Sequence, residues 1–350
     1  YMELEEDAPL DGRSRTTTRI HVSTSDSTVN VLRCMGVPLV TSLGEGGLQY
    51  LLAGVRATAG AKSGCYFFEV RIVESLAYEP LGAKARGPKP QSLVRIGVSL
   101  AESSLFLSAS ESNVCFDSEG FFSCETQRIK IAPEFLRGQT VGLLLNLDAS
   151  SSNAHTVSLF HDGLRVAPPQ KLPPNLLGKA LYPTLTFRGV TLHVNFGPVP
   201  LAPLPFSCWM LQQAAEADIE VAPVCDRNEV LLPVGLPDTG VFEWVDHFLE
   251  RNPGYTELSR RSVLAWASTS GAWQPQGGQG SVDRPVLQSG VHLIDEVCVD
   301  RLSSVAPALG HNYIVMELEG NLLLEERRKV LERYPAPRFK RVAVVLLGDP

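Results

Sequence analysis

The sequence predicts two folds in succession: an antiparallel β-sandwich, then an α/β domain built on a parallel sheet. Three observations carry this. Across residues 19–197, short runs of β-branched and aromatic residues alternate with Gly, Pro, Ser and Asn turns, as in antiparallel sandwiches and barrels. Pro198, Pro200, Pro203 and Pro205 then each remove an amide donor, so this stretch cannot sustain a central strand. Beyond it an apolar run at 229–234 leads into helical periodicity, and alternation of strand and helix implies parallel pairing. The length of 350 residues, against roughly 100–200 per domain, agrees with two domains.

Taken in order, residues 1–18 are expected to be disordered and 19–200 to form the sandwich. Residues 64–72 are aromatic and β-branched, 92–100 alternate apolar and polar, and 141–147 form the continuous apolar run of a buried strand. Residues 156–160 meet Asp162-Gly163, a hairpin signal because Gly accepts positive φ. Two more strands are expected at 181–187 and 190–196. Near residue 55 the short side chains of Ala53, Gly54, Ala57, Ala59 and Gly60 suit close backbone approach. Arg56 within that stretch is either a ligand-facing charge or a paired structural one, the structural reading being the safer. Phe106, and the aromatics from Phe116 to Phe122, either line a groove or fill the core, with core packing the simpler account.

A linker is expected at 201–224 and the α/β domain at 225–350. Val241, Trp244, Val245, Phe248 and Leu249 share one helical face, and Asn252-Pro253-Gly254 ends that helix. Residues 311–317 read as a second strand, 321–334 as a helix and 341–347 as a third strand. The chain stops at Pro350 straight after that strand, so the domain is expected to be truncated at its C-terminus. Residues 268–285, rich in Gly, Gln, Ser and Pro, read as a flexible insertion.

The chemistry is written most sharply where the first strand of the second half meets its helix. Gly235 and Gly240 stand at the spacing of a phosphate-binding loop, whose amides cradle phosphates, whose Lys neutralises them and whose hydroxyl ligates Mg²⁺. Val241 occupies the Lys position and Phe242 the hydroxyl position, so the frame keeps its turn and loses its clamp. No cofactor is expected. Glu257 is the nearest candidate general base, but without a metal it makes no phosphotransferase. Glu317 and Glu319 could hold a metal, although two carboxylates at a strand end are more often a solvated edge, and no metal is expected.

Composition narrows the classes further. With 44% hydrophobic and 20% charged residues, and no apolar run near the ~20 residues of a membrane span, the chain reads as globular, with no membrane partner. A net charge of −7 argues against a globally cationic nucleic-acid binder. Local basic sites remain as phosphate or RNA contacts, namely Lys84, Arg86 and Lys89 in the loop at 78–91 and Arg327, Arg328 and Lys329 later; a solvated helix face is the simpler account of the latter three. The loop at 78–91, with Tyr78 and those basic residues, is also a candidate partner-binding loop, as is Phe116; a solvated excursion is the alternative for the loop. Seven scattered cysteines without a C-x-x-C pair suit a reducing cytosol or nucleus and read as buried free thiols.

Five segments in order, Gly64 with Tyr66-Phe67-Phe68-Glu69-Val70, residues 94–99, Phe160 with Asp162-Gly163, Leu181-Tyr182-Pro183 and Val194 to Gly197, resemble the successive signatures of a SPRY domain. The resemblance implies a bent β-sandwich without catalytic activity that binds protein segments through loops on one rim. A SPRY domain joined to a P-loop kinase-like domain resembles the heterogeneous nuclear ribonucleoprotein U family. The second-half likeness rests on Gly235-Leu236-Pro237, Trp244, Asn252-Pro253, Tyr255, residues 311–314, Arg327-Arg328-Lys329 and residues 342–345. That resemblance implies a nuclear protein of RNA metabolism, also cytoplasmic in part, working as a non-catalytic scaffold. The alternatives are an ATP-binding polynucleotide-kinase-like enzyme and a direct RNA binder. Members of the family usually add a DNA-binding SAP segment before this region and an Arg-Gly-Gly-rich RNA-binding tail after it, neither of which lies within these residues, so the resemblance implies that RNA contact falls to flanking regions. Against the family pattern, the lost Lys, the lost hydroxyl and the expected Asp position, which falls on Met316 or, with a slip, on Glu317, make the kinase-like domain degenerate.

Overall fold

The computed structural model describes residues 3–9, 11–34, 36–44, 47–76, 91–108, 110–223, 229–234, 241–272, 312–315, 325, 328, 332 and 341–346. The main division of the chain into two compact units falls between Ala222 and Pro223.

Two antiparallel sheets make the first unit. Sheet I runs, edge to edge, through β1 (Val22–Ser27), β4 (Ala53–Ala57), β15 (Tyr182–Arg188), β7 (Leu93–Ser99), β8 (Asn113–Asp117), β9 (Phe121–Cys124) and β10 (Gln127–Lys130). Sheet II runs through β13 (Leu164–Arg165), β12 (Thr156–His161), β11 (Thr140–Asn146), β6 (Cys65–Ser75), β16 (Val190–Asn195), β3 (Leu39–Ser42) and β2 (Val31–Arg33). Two short strands extend sheet II, β14 (Gln170–Lys171) on β12 and β17 (Trp209–Met210) parallel to β6. A separate pair joins β5 (Ala59–Ala61) to β18 (Ile219–Val221).

The period-two alternation of a strand decides what faces what. From sheet I, Val55, Leu185, Phe187, Val94, Ile96, Val98, Val114 and Phe116 point inward; from sheet II, Tyr66, Phe68, Val70, Ile72, Leu143, Leu145, Leu159, Leu192 and Val194 meet them in one buried core. At about 25 cal/mol per Å² of apolar surface removed from water, this layer is the main stabilising term of the unit. The hairpin expected at Asp162-Gly163 turns through left-handed backbone at both residues, φ 49° and 83°. There a Cβ on Gly163 would run into the Pro203 carbonyl.

Strand β11 is buried on both faces, which explains its unbroken apolar run. Its outer face carries Leu144, which clusters with Phe67, Phe160, Phe206 and Met210. The last two come from the stretch expected to be a linker. That expectation is corrected: much of 201–222 belongs to the sandwich, with Phe206, Met210, Leu211, Ala214 and Ile219 all buried. Proline takes away amide donors, but it does not stop neighbouring apolar side chains from packing on a sheet face.

Residues 3–9 and 11–18 are corrected likewise, from disordered to laid along the same unit. Thr16 donates its amide to the Ala214 carbonyl (2.9 Å) and Glu216 returns one to Ser14 (3.0 Å). The Arg15 guanidinium lies 3.8 Å from the centre of the Trp209 ring. Asp218 accepts hydrogen bonds from Tyr66, Ser63 and Arg13; burial alone would raise its carboxyl, but these donors bring it below the usual range.

The second unit holds β19 (Glu229–Val234), α1 (Val241–Arg251), β20 (Tyr255–Leu258), α2 (Arg260–Thr269), β21 (Asn312–Val315) and β22 (Arg341–Leu346). Its four described strands pair in parallel in the order β20-β21-β19-β22. Val245 of α1 packs on Leu231 and Ile314, with Trp244, Phe248, Leu249 and Tyr255 around them. The Asn252 amide and side chain both close on the Phe248 carbonyl and end α1. Ser259 caps α2 by accepting from the Ser262 amide (3.1 Å).

Candidate interaction surface

The outer face of sheet I is polar where its inner face is apolar. Arg56, Thr184, Thr186, Arg95, Ser99, Asn113, Asp117 and Ser123 all alternate outward, and all but Arg95 are nevertheless buried. Arg56, Thr186, Arg95 and Asn113 are met by the connection between β7 and β8, residues 100–108 and 110–112. Gly54 makes room for this roof, since a Cβ there would run into Leu105. Thr186 Oγ1 accepts from the Leu107 amide (2.8 Å) and donates to the Leu105 carbonyl (2.8 Å). Arg95 Nη1 donates to the Leu107 carbonyl (2.8 Å).

Arg56 is the pillar of this arrangement. Only 1% exposed, it donates to Ser99 Oγ (3.0 Å), the Asp26 carboxylate and the Ser103 carbonyl (2.6 Å). Floor, edge and roof are thereby joined through one cation, so Arg56 is a paired structural charge. Two roof residues, Glu102 (φ 59°) and Ser108 (φ 70°), hold left-handed backbone that non-glycine residues seldom adopt. The Asn113 side chain fixes the second by accepting from the Ser108 amide (2.8 Å). Such over-determination is what presents the half-buried Phe106 at a defined place.

Beside the roof, the meander β8–β10 supplies a charged rim. Asp117, almost fully buried, accepts from Arg128 Nη2 at 2.7 Å, and Arg128 also reaches Glu119. The Arg128 guanidinium sits 3.9 Å from the centre of the half-buried Phe121 ring, with Lys130 on the same side. Asp117 and then Glu119 hold the Arg128 proton more firmly than usual. An aromatic ring flanked by two cations beside a rigid loop can receive an extended segment that offers an acidic or carbonyl-rich surface.

Of the expected partner-binding residues, Phe116 is corrected: it is 0% exposed, in the core against Phe122. A shift of one residue along a strand reverses the face, so Asp117, not Phe116, stands on the surface side. Tyr78, Lys84, Arg86 and Lys89 lie outside the described residues, as do Gly235, Gly240, Arg327, Lys329, Met316, Glu317 and Glu319. Val241 and Phe242 are the first two residues of α1. Arg328 is exposed on a helical segment with Glu325 and Glu332, a spacing that suits a solvated face. Glu257 accepts from Ser259 Oγ and from Arg261 Nε (2.7 Å), which engages it at the start of α2.

The cysteines also depart from expectation. Cys115 alone of the five described is fully buried, and Cys34 is exposed. Burial pushes the Cys115 and Cys208 thiols up to about 12, so neither is a thiolate nucleophile near neutrality. Among the described residues no group of three or more His, Cys, Asp or Glu is placed to hold a metal, and no helix is long and apolar enough to cross a membrane. Arg128 and Arg165 were missed from sequence; each is a single basic residue, and only the fold shows which carboxylates it meets.

No family model matches the chain. Its sequence is 24% identical to heterogeneous nuclear ribonucleoprotein U-like protein 2 of Mus musculus over 308 residues, covering 85% of this chain and 39% of that protein. Against the Homo sapiens protein of the same name it is 24% identical over 355 residues, covering 99% of this chain and 45% of that protein. The chain therefore spans less than half the length of these relatives. Among solved structures, the SPRY domain of human HERC1 is 18% identical with a TM-score of 0.36, covering 51% of this chain and 99% of that domain. A second human SPRY domain is 15% identical with a TM-score of 0.35, covering 49% of this chain and 98% of that domain. Over nearly its whole length, then, this chain is similar to the heterogeneous nuclear ribonucleoprotein U-like proteins, the family its motifs resemble.

Proposed function

We propose that this chain is a non-catalytic interaction module of a nuclear ribonucleoprotein, and that its sandwich binds extended protein segments on the roof and rim of sheet I. The observation that carries this reading is the buried Arg56, which ties the 100–112 loop to the sheet and holds Phe106 beside the Phe121–Arg128 rim. Rigid support for a loop that gives the inner core little beyond Leu100 suits recognition better than stability. Replacing both Phe106 and Phe121 by alanine should reduce capture of nuclear proteins by roughly ten-fold or more, equivalent to about 1.4 kcal/mol, with the thermal transition little changed. Quantitative mass spectrometry of the captured proteins is the measurement, and capture equal to wild type would remove the site from this face.

The second unit is read as a P-loop-like fold without phosphotransfer. The strand order supports it: β19 neighbours β21 and not β20, so the ends of β19 and β21 form the switch point at which α/β sheets take ligands. Helix α1 begins at Val241, the position that would carry the phosphate-binding Lys. A side chain without charge there leaves the triphosphate uncompensated. Calorimetric titration with Mg-ATP is expected to give no heat up to millimolar nucleotide, and micromolar binding would defeat the inactive reading. RNA contact is assigned to other parts of such proteins, in keeping with the chain's net charge of −7.

A further inference from the structure

On the outer face of sheet II, away from the surface proposed above, Arg165 of β13 has a side chain with no solvent exposure at all. It lies over the Phe160 ring, 4.9 Å from its centre. Arg165 Nε and Nη2 donate to Glu3 (3.0 and 2.8 Å), and Nη2 also donates to Glu5 (3.0 Å). Its remaining nitrogen, Nη1, is buried and has no hydrogen-bond partner. Around it, Asn146 reaches Glu5, and Asn153 donates to the Leu4 carbonyl (2.8 Å). The strap made by residues 3–8 is closed by Ser207, which donates to Asp7 from both its amide (2.7 Å) and its hydroxyl (3.0 Å) and receives the Ala8 amide (2.8 Å).

The strap is held almost wholly by charge and hydrogen bonds. Leu4 is 44% exposed, Pro9 is exposed, and among the described residues none of 3–8 pairs in a strand or enters a buried apolar cluster. By contrast, Arg13 and Arg15 tie the following stretch to Asp218 and the 213–215 backbone. A cation this buried requires anionic partners, yet the partners it has sit on a segment with little else to keep it there. We propose that Arg165, Asn146, Asn153 and Ser207 form a binding site for acidic, extended peptide segments, and that residues 3–8 are its intramolecular occupant. Displacement of the strap by a Glu-x-Glu segment of a partner protein exchanges like for like around Arg165. An acidic peptide fits better than a nucleic acid: the site offers one guanidinium and short amide donors, with no aromatic face left open for a base, since Arg165 covers Phe160.

The test uses the full chain and a labelled synthetic peptide of residues 1–9, followed by fluorescence anisotropy. An intramolecular occupant lowers the apparent affinity by the fraction of open sites, so freeing the site raises it. The E3Q/E5Q chain is expected to bind the peptide at least roughly ten-fold more tightly than the wild-type chain, whereas a peptide carrying Gln at positions 3 and 5 binds neither. The D7N chain loosens the strap without touching Arg165, Asn146, Asn153 or Ser207 and is expected to bind with intermediate affinity; it answers the question should E3Q/E5Q not fold. Equal affinity of the variants and wild type, no binding by any chain, or equal binding of the Gln peptide would overturn the proposal. So would tighter binding of a short RNA oligonucleotide than of the peptide.

Discussion

Arg56→Met is expected to cost about 3–5 kcal/mol of folding stability, the range for removing one partner of a buried pair. An exposed ion pair is worth only about 0–1 kcal/mol, so burial decides the size. Without the guanidinium, Ser99 Oγ keeps Thr184 (2.7 Å) as a partner, whereas the Ser103 carbonyl and the Asp26 carboxylate lose theirs. Urea denaturation followed by tryptophan fluorescence is the measurement. The double variant D26N/R56M should recover part of the loss, because it removes the carboxylate left without its cation. A cost below about 1 kcal/mol would mean that Arg56 is solvated in solution and does not pin the roof. The same variant should lower partner capture even at temperatures where it is folded, since the 100–112 loop is then untethered.

Phe116→Ala is expected to cost about 3–5 kcal/mol, the range for truncating a buried aromatic ring. Phe116 is fully buried, and its ring centre lies 5.0 Å from that of Phe122. Because the deletion opens a cavity between the sheets and touches nothing on the outer face, partner affinity of the folded fraction should stay within about two-fold of wild type, roughly 0.4 kcal/mol. Denaturation and binding measured on one preparation separate the two effects. Selective loss of binding with stability intact would return Phe116 to the interaction surface.

The aromatic and β-branched runs at 64–72, 92–100 and 141–147 announced β6, β7 and β11 because a half-buried or buried strand leaves its mark on neighbouring residues. The same holds for the α1 periodicity, where the face of Val245 and Phe248 repeats every turn. Strand β20 and helix α2 left weaker marks. Tyr255–Leu258 has no apolar alternation, and it becomes a strand because β21 beside it offers a ladder. The strap and the proline-rich segment were misread for a related reason: the charges of Glu3, Glu5 and Arg13 look like solvation until Arg165 and Asp218, more than a hundred residues away, are seen beneath them.

Local pattern is enough for strands such as β6, β7 and β11 and for the hairpin at Asp162-Gly163, since each depends on residues close along the chain. Pairings between distant residues settled the rest. Which sheet face each side chain occupies turned on register, and that moved the surface from Phe116 to Asp117. Which charges are structural turned on burial, because a cation removed from water must meet its counter-charge wherever the fold brings it, as Arg56 meets Asp26 and Arg165 meets Glu3 and Glu5.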